Sequence, residues 1–332
     1  METMCSEEAL KYIWEGAIPL QIQLHESEIT SIPPPPPLMI LGLRIGYLPL
    51  LIAPLKAHFS SALPPGTDNV WFDYKGLPLK WYVPTGVLFD LLCAEPERPW
   101  NLTVHFRGSP GDVLTPCEGE ESVKWSYINS LKEAAYVING NCKNVMNMSQ
   151  PDQYDLWQSL LKGNMEGYMK ISSRLKLGPF GEDSLPSDES ETVASSRPCR
   201  IPVRLYVRSV GKEIVEIEDA PIVDSWDKIS YINRPFEMYK EEGGYVSLKQ
   251  AMKSLLPEIF DTNSSQDEGS SNDPKDPNAP EFEDESMKLI LVRVQGIELD
   301  MDIPFFWVAN CLKNPEFYLH ICLFISKQPK LR

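Results

Sequence analysis

The sequence predicts an α+β fold in which a helix-rich centre is flanked by two copies of one sheet-and-helix unit. Three observations carry this: an internal duplication, a change of apolar period between the copies, and the order of elements around each copy. The duplication pairs Val70–Leu92 (VWFDYKGLPLKWYVPTGVLFDLL) with Ile290–Leu312 (ILVRVQGIELDMDIPFFWVANCL) at a constant offset of 220. Each copy has an apolar run ending at a Gly (Gly76, Gly296), a Leu three positions on (Leu79, Leu299) and a Pro eight after the Gly (Pro84, Pro304). So few identities weigh less than the shared order of element types. That order is a strand, a Gly-punctuated turn, a short second strand and a helix opening at Pro, where the missing N–H costs nothing. Both copies then return to strand, at Asn101–Phe106 and Phe317–Ile325, each rich in β-branched and aromatic residues.

Upstream of the second copy, Ile201–Val207 alternates apolar residues with Arg204 and Tyr206, as a half-buried strand should. A turn at Gly211-Lys212 and a second run at Ile214–Ile217 complete a hairpin. Tyr245–Ile259 reads as a helix, with Leu248, Met252 and Leu255 at spacings of four and three. Hairpin, helix, further strands and a short crossing helix is the order of a β-grasp, ubiquitin-like module. The first half repeats it less clearly, with strand-like Leu20–Leu24, an apolar run at Met39–Leu48 and a helix over Leu50–Ser60.

Between the modules the period changes. In Glu121–Asn139 the apolar residues Val123, Tyr127, Leu131, Ala134 and Ile138 fall on one face of an amphipathic helix. Ser149 and Pro151 offer a cap and an early Pro for a second helical stretch, buried through Tyr154, Trp157, Leu160, Leu161 and Tyr168 and interrupted at Gly163. The expected layout is an N-terminal helix over 1–16, a first ubiquitin-like domain over 17–110 and a helix-rich domain over 118–178. A flexible linker over 179–198 and a second ubiquitin-like domain over 199–328 follow.

Residues 261–286 carry nine acidic residues against Lys275 alone and almost no apolar side chains, so they cannot offset their own ordering entropy and read as a disordered insertion. That segment supplies about half of the formal charge of −16, and what remains lacks the basic field a nucleic-acid binder needs. The acidic N-terminus has no apolar core of the length a signal peptide requires, so a cytoplasmic location is expected. The most apolar stretch, Leu38–Leu55, contains Arg44, Pro49 and Pro54, which argues against a membrane helix. Seven Cys (5, 93, 117, 142, 199, 311, 322) with no C-x-x-C pair argue against a disulfide framework or a zinc site. The sequons at Asn101 and Asn147 are empty without secretion.

Motifs of catalysis are nearly absent: there is no P-loop, no G-x-G-x-x-G and no H-E-x-x-H. One arrangement deserves weighing, a thiol enzyme of a ubiquitin-like pathway with Cys93 as nucleophile, His105 as base and Asp90 as orienter. Against it, Cys93 ends an apolar helix and reads as ordinary core. No catalytic residue, cofactor or metal is therefore expected. The prolines Pro33–Pro37 form either a polyproline II ligand for an SH3- or WW-type groove or a stiff loop, the loop being favoured.

Four runs, Glu8–Pro19 (EALKYIWEGAIP), Val70–Trp81 (VWFDYKGLPLKW), Gly86–Leu92 (GVLFDLL) and Pro99–Phe106 (PWNLTVHF), closely resemble the autophagy protein 5 family, and the resemblance covers nearly the whole chain. The Pro-rich loop and acidic insertion look like a plant-type version. The resemblance implies two ubiquitin-like domains around a helix-rich one, and a non-enzymatic scaffold of autophagosome formation. In that family E1-like and E2-like enzymes join the C-terminal Gly of autophagy protein 12 to a lysine of the local pattern hydrophobic-Lys-Glu-Ala, which here is Leu131-Lys132-Glu133-Ala134. Lys132 is the implied isopeptide acceptor, with Lys124, Lys143 and Lys162 as local competitors. With Leu131 on the buried face, Lys132 lies about 100° round, beside Ile128 and Ala135, where its stem rests on apolar neighbours while the amine reaches solvent.

The resemblance also implies a non-covalently held helix of autophagy protein 16, for which Trp14, Trp81 and Trp157 are candidate contacts, each with an alternative place in the core. The assembly is implied to act like an E3 ligase, promoting lipidation of a second ubiquitin-like protein on phosphatidylethanolamine at the phagophore (preautophagosomal) membrane. Contact with membrane by this chain is expected to be peripheral and transient. Arg200, Arg204 and Arg208 share one strand face that would meet anionic lipid, the alternative being a solvated face.

Overall fold

The computed structural model describes residues 2–66, 68–178, 199–211, 217–238, 246–260 and 285–329. A helix α1 (Glu2–Glu15) leads into the first sheet unit: β1 (Ala17–Leu24), β2 (Leu38–Leu43), α2 (Ile52–Phe59), β3 (Trp71–Tyr74), β4 (Leu77–Pro78), α3 (Thr85–Leu92) and β5 (Trp100–His105). Four helices follow, α4 (Glu120–Asn139), α5 (Lys143–Met146), α6 (Gln150–Leu161) and α7 (Met165–Ser172). The second sheet unit comprises β6 (Cys199–Ser209), β7 (Ile229–Met238), α8 (Leu248–Leu255), α9 (Pro257–Phe260), β8 (Glu285–Val294), β9 (Ile297–Glu298), α10 (Phe305–Cys311) and β10 (Leu319–Pro329).

The two sheets have one topology, β2-β1-β5-β3-β4 and β7-β6-β10-β8-β9. In each, the first and last strands pair in parallel at the centre and every other pairing is antiparallel. This is the ubiquitin-like arrangement, present twice. The duplication extends to dihedral angles: Lys75 and Gly76 (φ 50° and 86°) match Gln295 and Gly296 (φ 53° and 77°). Two successive residues at positive φ make the type I′ turn whose twist suits a tight hairpin, and Gly occupies its second position at no steric cost. The amide of Leu79 donates to Phe72 O at 2.8 Å, and that of Leu299 to Val292 O at 3.1 Å. Pro84 and Pro304 are N-caps with extended backbone, so each helix begins one residue after the Pro at which the sequence opens it.

Three expectations need correction. The partner of β6 in its hairpin is β7, paired from Cys199↔Met238 to Arg208↔Ile229, and not Ile214–Ile217. Residues 212–216 lie outside the described residues, and Ile217–Asp219 is a single 3-10 turn. As an outer strand β7 is largely exposed, so its sequence ISYINRPFEM shows no clean alternation to read. The helix read over Tyr245–Ile259 begins at Leu248 behind a Ser247/Gln250 capping box and stops at Leu255, with Pro257 opening a separate turn. Glu285 and Ser286, assigned to the acidic insertion, are strand, paired with Pro329 and Gln328. The rest of that insertion (261–284) and the linker 179–198 lie outside the described residues.

Burial joins the units. One apolar cluster runs from Ile13 and Trp14 through α4, α6 and α7 to the inner face of the second sheet (Ile201, Val203, Leu205, Leu319, Ile321, Leu323). A second cluster takes in the first module's core and continues onto the outer face of the second sheet through Tyr206, Val210, Cys322 and Phe324. The second sheet is thus covered on both faces, by its own helices on one and by α4 and the first module on the other.

Candidate functional site

The site is built on α4. The helix begins after Gly119 with Glu120 and Glu121 in its first turn, where acidic side chains complement the positive end of the helix dipole. It ends at Gly140, in the left-handed conformation (φ 70°), whose amide donates to Tyr136 O at 2.8 Å. Val123, Tyr127, Ile128, Leu131, Ala134 and Ala135 are buried, one continuous stripe. Lys132 lies on the flank of that stripe, half-buried, between buried Ile128 and Ala135.

Its side chain lines an open cleft of 480 Å³ that α4 shares with the second sheet: Glu133, Tyr136 and Val137 on one side, Asn233 and Pro235 of β7 and Tyr318 on the other. Among the described residues no carboxylate pairs with the Lys132 ammonium. Lys124, by contrast, pairs with Glu121 at 3.8 Å, while Lys143 and Lys162 are exposed at helix ends and do not line this cleft. Two further hollows adjoin α4. One, of 530 Å³, runs between Trp81, Tyr82 and Thr115 of the first half and Trp125, Ser126 and Asn129 of the helix. The other, of 180 Å³, brings all three units together through Lys80 and Tyr82, Ser126 and Ser130, and Arg204, Trp226 and Tyr231.

Of the three tryptophans named from sequence, only Trp81 faces these hollows; it is half-buried and donates through Nε1 to Thr115 O at 2.9 Å. Trp157 is core, with Nε1 on Glu120 Oε1 at 2.7 Å. Trp14 is buried against Tyr168, ring centroids 4.7 Å apart. The aromatics that are exposed along the groove are Tyr82, Trp125 and Tyr231, which sequence reasoning passed over. Trp125 did carry a signal: it falls off the apolar stripe of an otherwise regular amphipathic helix, where a large ring has no core to enter.

The lipid-facing arginine strip is overturned. Arg208 is 1% exposed and donates to Leu91 O, Leu92 O and Pro221 O. Arg204 donates to Ser130 Oγ at 3.2 Å and Glu133 Oε2 at 3.1 Å, with its guanidinium 3.7 Å above the Tyr318 ring. Arg200 alone is exposed, paired with Glu237 at 2.7 Å. The three do share a face, but α4 and the first module cover it, so no lipid reaches Arg204 or Arg208.

Cys93, His105 and Asp90 do not converge either. Burial pushes the Cys93 thiol up to about 12, with a hydrogen bond from Tyr74 partly opposing it, so no thiolate nucleophile is present near neutrality. His105 is held between the Trp71 ring (3.7 Å) and His25 (4.4 Å), with Nε2 on Asp73 Oδ2 at 2.6 Å. Asp90 pairs with Arg44 and accepts from Gly296 N at 2.7 Å, joining the two modules; desolvation still raises its pKa above the ordinary carboxylate range. No helix among the described residues is long and apolar enough to cross a membrane, and no cluster of His, Cys, Asp and Glu there suits a metal ion.

Comparison with known proteins agrees with this geometry unit by unit. Family models described as autophagy protein ATG5 match residues 13–106 (UblA domain), 120–178 (alpha-helical bundle region) and 200–323 (UblB domain). Autophagy protein 5 of Oryza sativa subsp. indica is 56% identical over 98% of this chain and 96% of its own length. The Arabidopsis thaliana protein of that name is 55% identical over 97% and 98%, and that of Neosartorya fischeri 30% over 78% and 84%. The crystal structure of Kluyveromyces marxianus Atg5 superposes with a TM-score of 0.65 over 95% of this chain and 99% of that one, at 18% identity, which speaks for the fold. Three matched domains in one order, and relatives above half identity along almost the full length, make this chain a member of the autophagy protein 5 family.

Proposed function

We propose that the chain is a non-enzymatic scaffold of autophagosome formation whose Lys132 accepts the C-terminal Gly of autophagy protein 12. The observation that supports it is a half-buried lysine on a regular helix, without a carboxylate partner among the described residues, beside a cleft open to an incoming chain end. An amine attacks a thioester only through its free electron pair, that is, when it is neutral. The E1-like enzyme supplies the activated partner, and the E2-like enzyme must help desolvate or deprotonate the amine in the cleft. A helix of autophagy protein 16 sits non-covalently in the hollow between the first half and α4, against Trp81, Tyr82 and Trp125. The assembled complex acts like an E3 ligase, promoting transfer of a second ubiquitin-like protein to phosphatidylethanolamine. It works from the cytoplasm and touches the phagophore membrane peripherally.

The test is Lys132→Arg, which keeps charge and fold and removes the acceptor. The expected result is loss of the higher-mass conjugate on a denaturing gel, with Lys124→Arg unaffected. A conjugate persisting in Lys132→Arg moves the acceptor elsewhere.

A further inference from the structure

Arg204 is an expensive residue where it stands. Its side chain is only 11% exposed, its Nε is buried without a hydrogen-bond partner, and its salt-bridge partner Glu133 is 57% exposed. A pair with one solvated partner adds little stability, and a buried donor left unsatisfied subtracts from it. An apolar side chain of the same length over Tyr318 would serve packing as well. What an apolar residue cannot do is add a directional contact. Close packing of the buried stripe sets which face α4 presents, and Tyr127 on an earlier turn of the helix donates to Pro315 O at 3.4 Å. Arg204 adds a directional tie at the turn that carries Lys132. One terminal nitrogen donates to Ser130 Oγ and Glu133 Oε2, successive positions on one face of α4, while the guanidinium is pinned on the Tyr318 ring of the second module.

The contacts bracket Lys132, two residues before it and one after. The wall that Lys132 faces is Asn233 and Pro235 of β7 and Tyr318 just before β10, and Arg204 pairs with Asn233 across β6 and β7. We propose that Arg204 is a positioning residue for the acceptor: it ties α4 to the second module's sheet so that the Lys132 amine points along the cleft for attack on the thioester, where the isopeptide C–N bond forms, the C–S bond breaks, and the thiol of the E2-like enzyme leaves with the proton the amine gives up. The proposal rests on Lys132 being the acceptor. It makes acceptor competence a property of two domains together, since the helix supplies the amine and the second module its direction. Misplacement of a nucleophile by about 1 Å costs up to about 100-fold in rate, so the effect belongs in turnover and not in encounter.

The experiment is reconstituted conjugation with the full chain, the E1-like and E2-like enzymes and the modifier, varying the concentration of charged E2-like enzyme. Arg204→Met keeps a long stem over Tyr318 and removes every donor; kcat is expected to fall about 10- to 100-fold with KM unchanged. Ser130→Ala with Glu133→Ala leaves Arg204 in place and removes both of its acceptors on α4, so it should give the same loss. The triple variant should fall no further than either, because all three changes remove one contact. Wild-type kcat in the Ser130/Glu133 variant, or a loss confined to KM, overturns the proposal; that variant decides alone if Arg204→Met does not fold. Lys132→Arg is run alongside. Conjugation surviving there refutes the acceptor reading itself, whatever Arg204 does.

Discussion

Arg293→Met should loosen the join between the two ubiquitin-like modules. Arg293 is 3% exposed and donates to Asp90 O at 3.3 Å, Cys93 O at 3.0 Å and Ala94 O at 3.2 Å. Arg208 covers the neighbouring carbonyls Leu91 O at 2.8 Å and Leu92 O at 3.2 Å. Asp90 O, Leu91 O and Leu92 O belong to the last turn of α3, whose final carbonyls lack partners within the helix and carry the negative end of its dipole, and Cys93 O and Ala94 O follow directly after it. Every residue of α3 is buried, so water is a poor substitute there. Methionine keeps the stem and removes all donors. Three buried acceptors losing a charged donor cost roughly 1–3 kcal/mol each before relaxation, and about 3–5 kcal/mol net is the expectation. At about 2–4 °C per kcal/mol for a unit of 150–250 residues, the midpoint should drop by about 6–20 °C. Scanning calorimetry with tryptophan fluorescence reads it. Glu298→Gln is the control: Glu298 pairs with Arg293 at 2.9 Å but is 59% exposed, so its loss should cost under about 1 kcal/mol. A shift for Arg293→Met no larger than that of the control would refute the reasoning, since it would mean the α3 carbonyls find other partners at no cost.

Cys93→Ser should leave conjugation and autophagic flux intact, because a thiol held up to about 12 is protonated throughout the physiological range; loss of flux with an intact fold would revive the thiol-enzyme alternative. Burial lowers Lys313 from 10.5 to about 8, so the folded state binds its proton less tightly than the unfolded chain. The stability this contributes is present above about 10.5 and is lost as pH falls through about 8; unfolding free energy should therefore rise by roughly 1–3 kcal/mol between those limits. Lys313→Met should flatten that rise in urea titrations at stepped pH, and an unchanged slope would count against it.

Much of the fold was legible because its signals are local. A type I′ turn demands positive φ at two residues, which put Gly76 and Gly296 in view, and Pro84 and Pro304 cannot lie inside a helix. Ser149 was readable as a cap and does accept from Asp152 N. Strand β7 was missed because an edge strand with solvent on its flanks needs no alternation. The arginine strip failed for a different reason. Period-2 spacing correctly places Arg204 and Arg208 on one face, but nothing local says what covers that face, and both contacts close loops of more than 70 residues. The resemblance named Lys132, whereas its cleft with β7 and Tyr318 is a tertiary fact that no spacing within α4 encodes.

The two modules share a topology and use it differently. In the first, Met39 and Leu41 on the outer strand are 57% and 67% exposed, so its sheet keeps a face open to solvent. In the second, the corresponding face carries Arg204, Tyr206 and Arg208, which α4 and the first module cover. Two arginines four residues apart on one strand reach in opposite directions, Arg204 to α4 and Arg208 to the end of α3. Burying them costs desolvation that apolar residues would avoid, yet apolar residues could not direct two other domains at once. Position 73 and its equivalent 293 diverge in the same sense: Asp73 serves its own module through His105, while Arg293 reaches out to α3. The second module thus acts as the platform against which α4 and the first module are both set. A change on its sheet should therefore alter how α4 is set, and with it the presentation of Lys132 as the proposed acceptor.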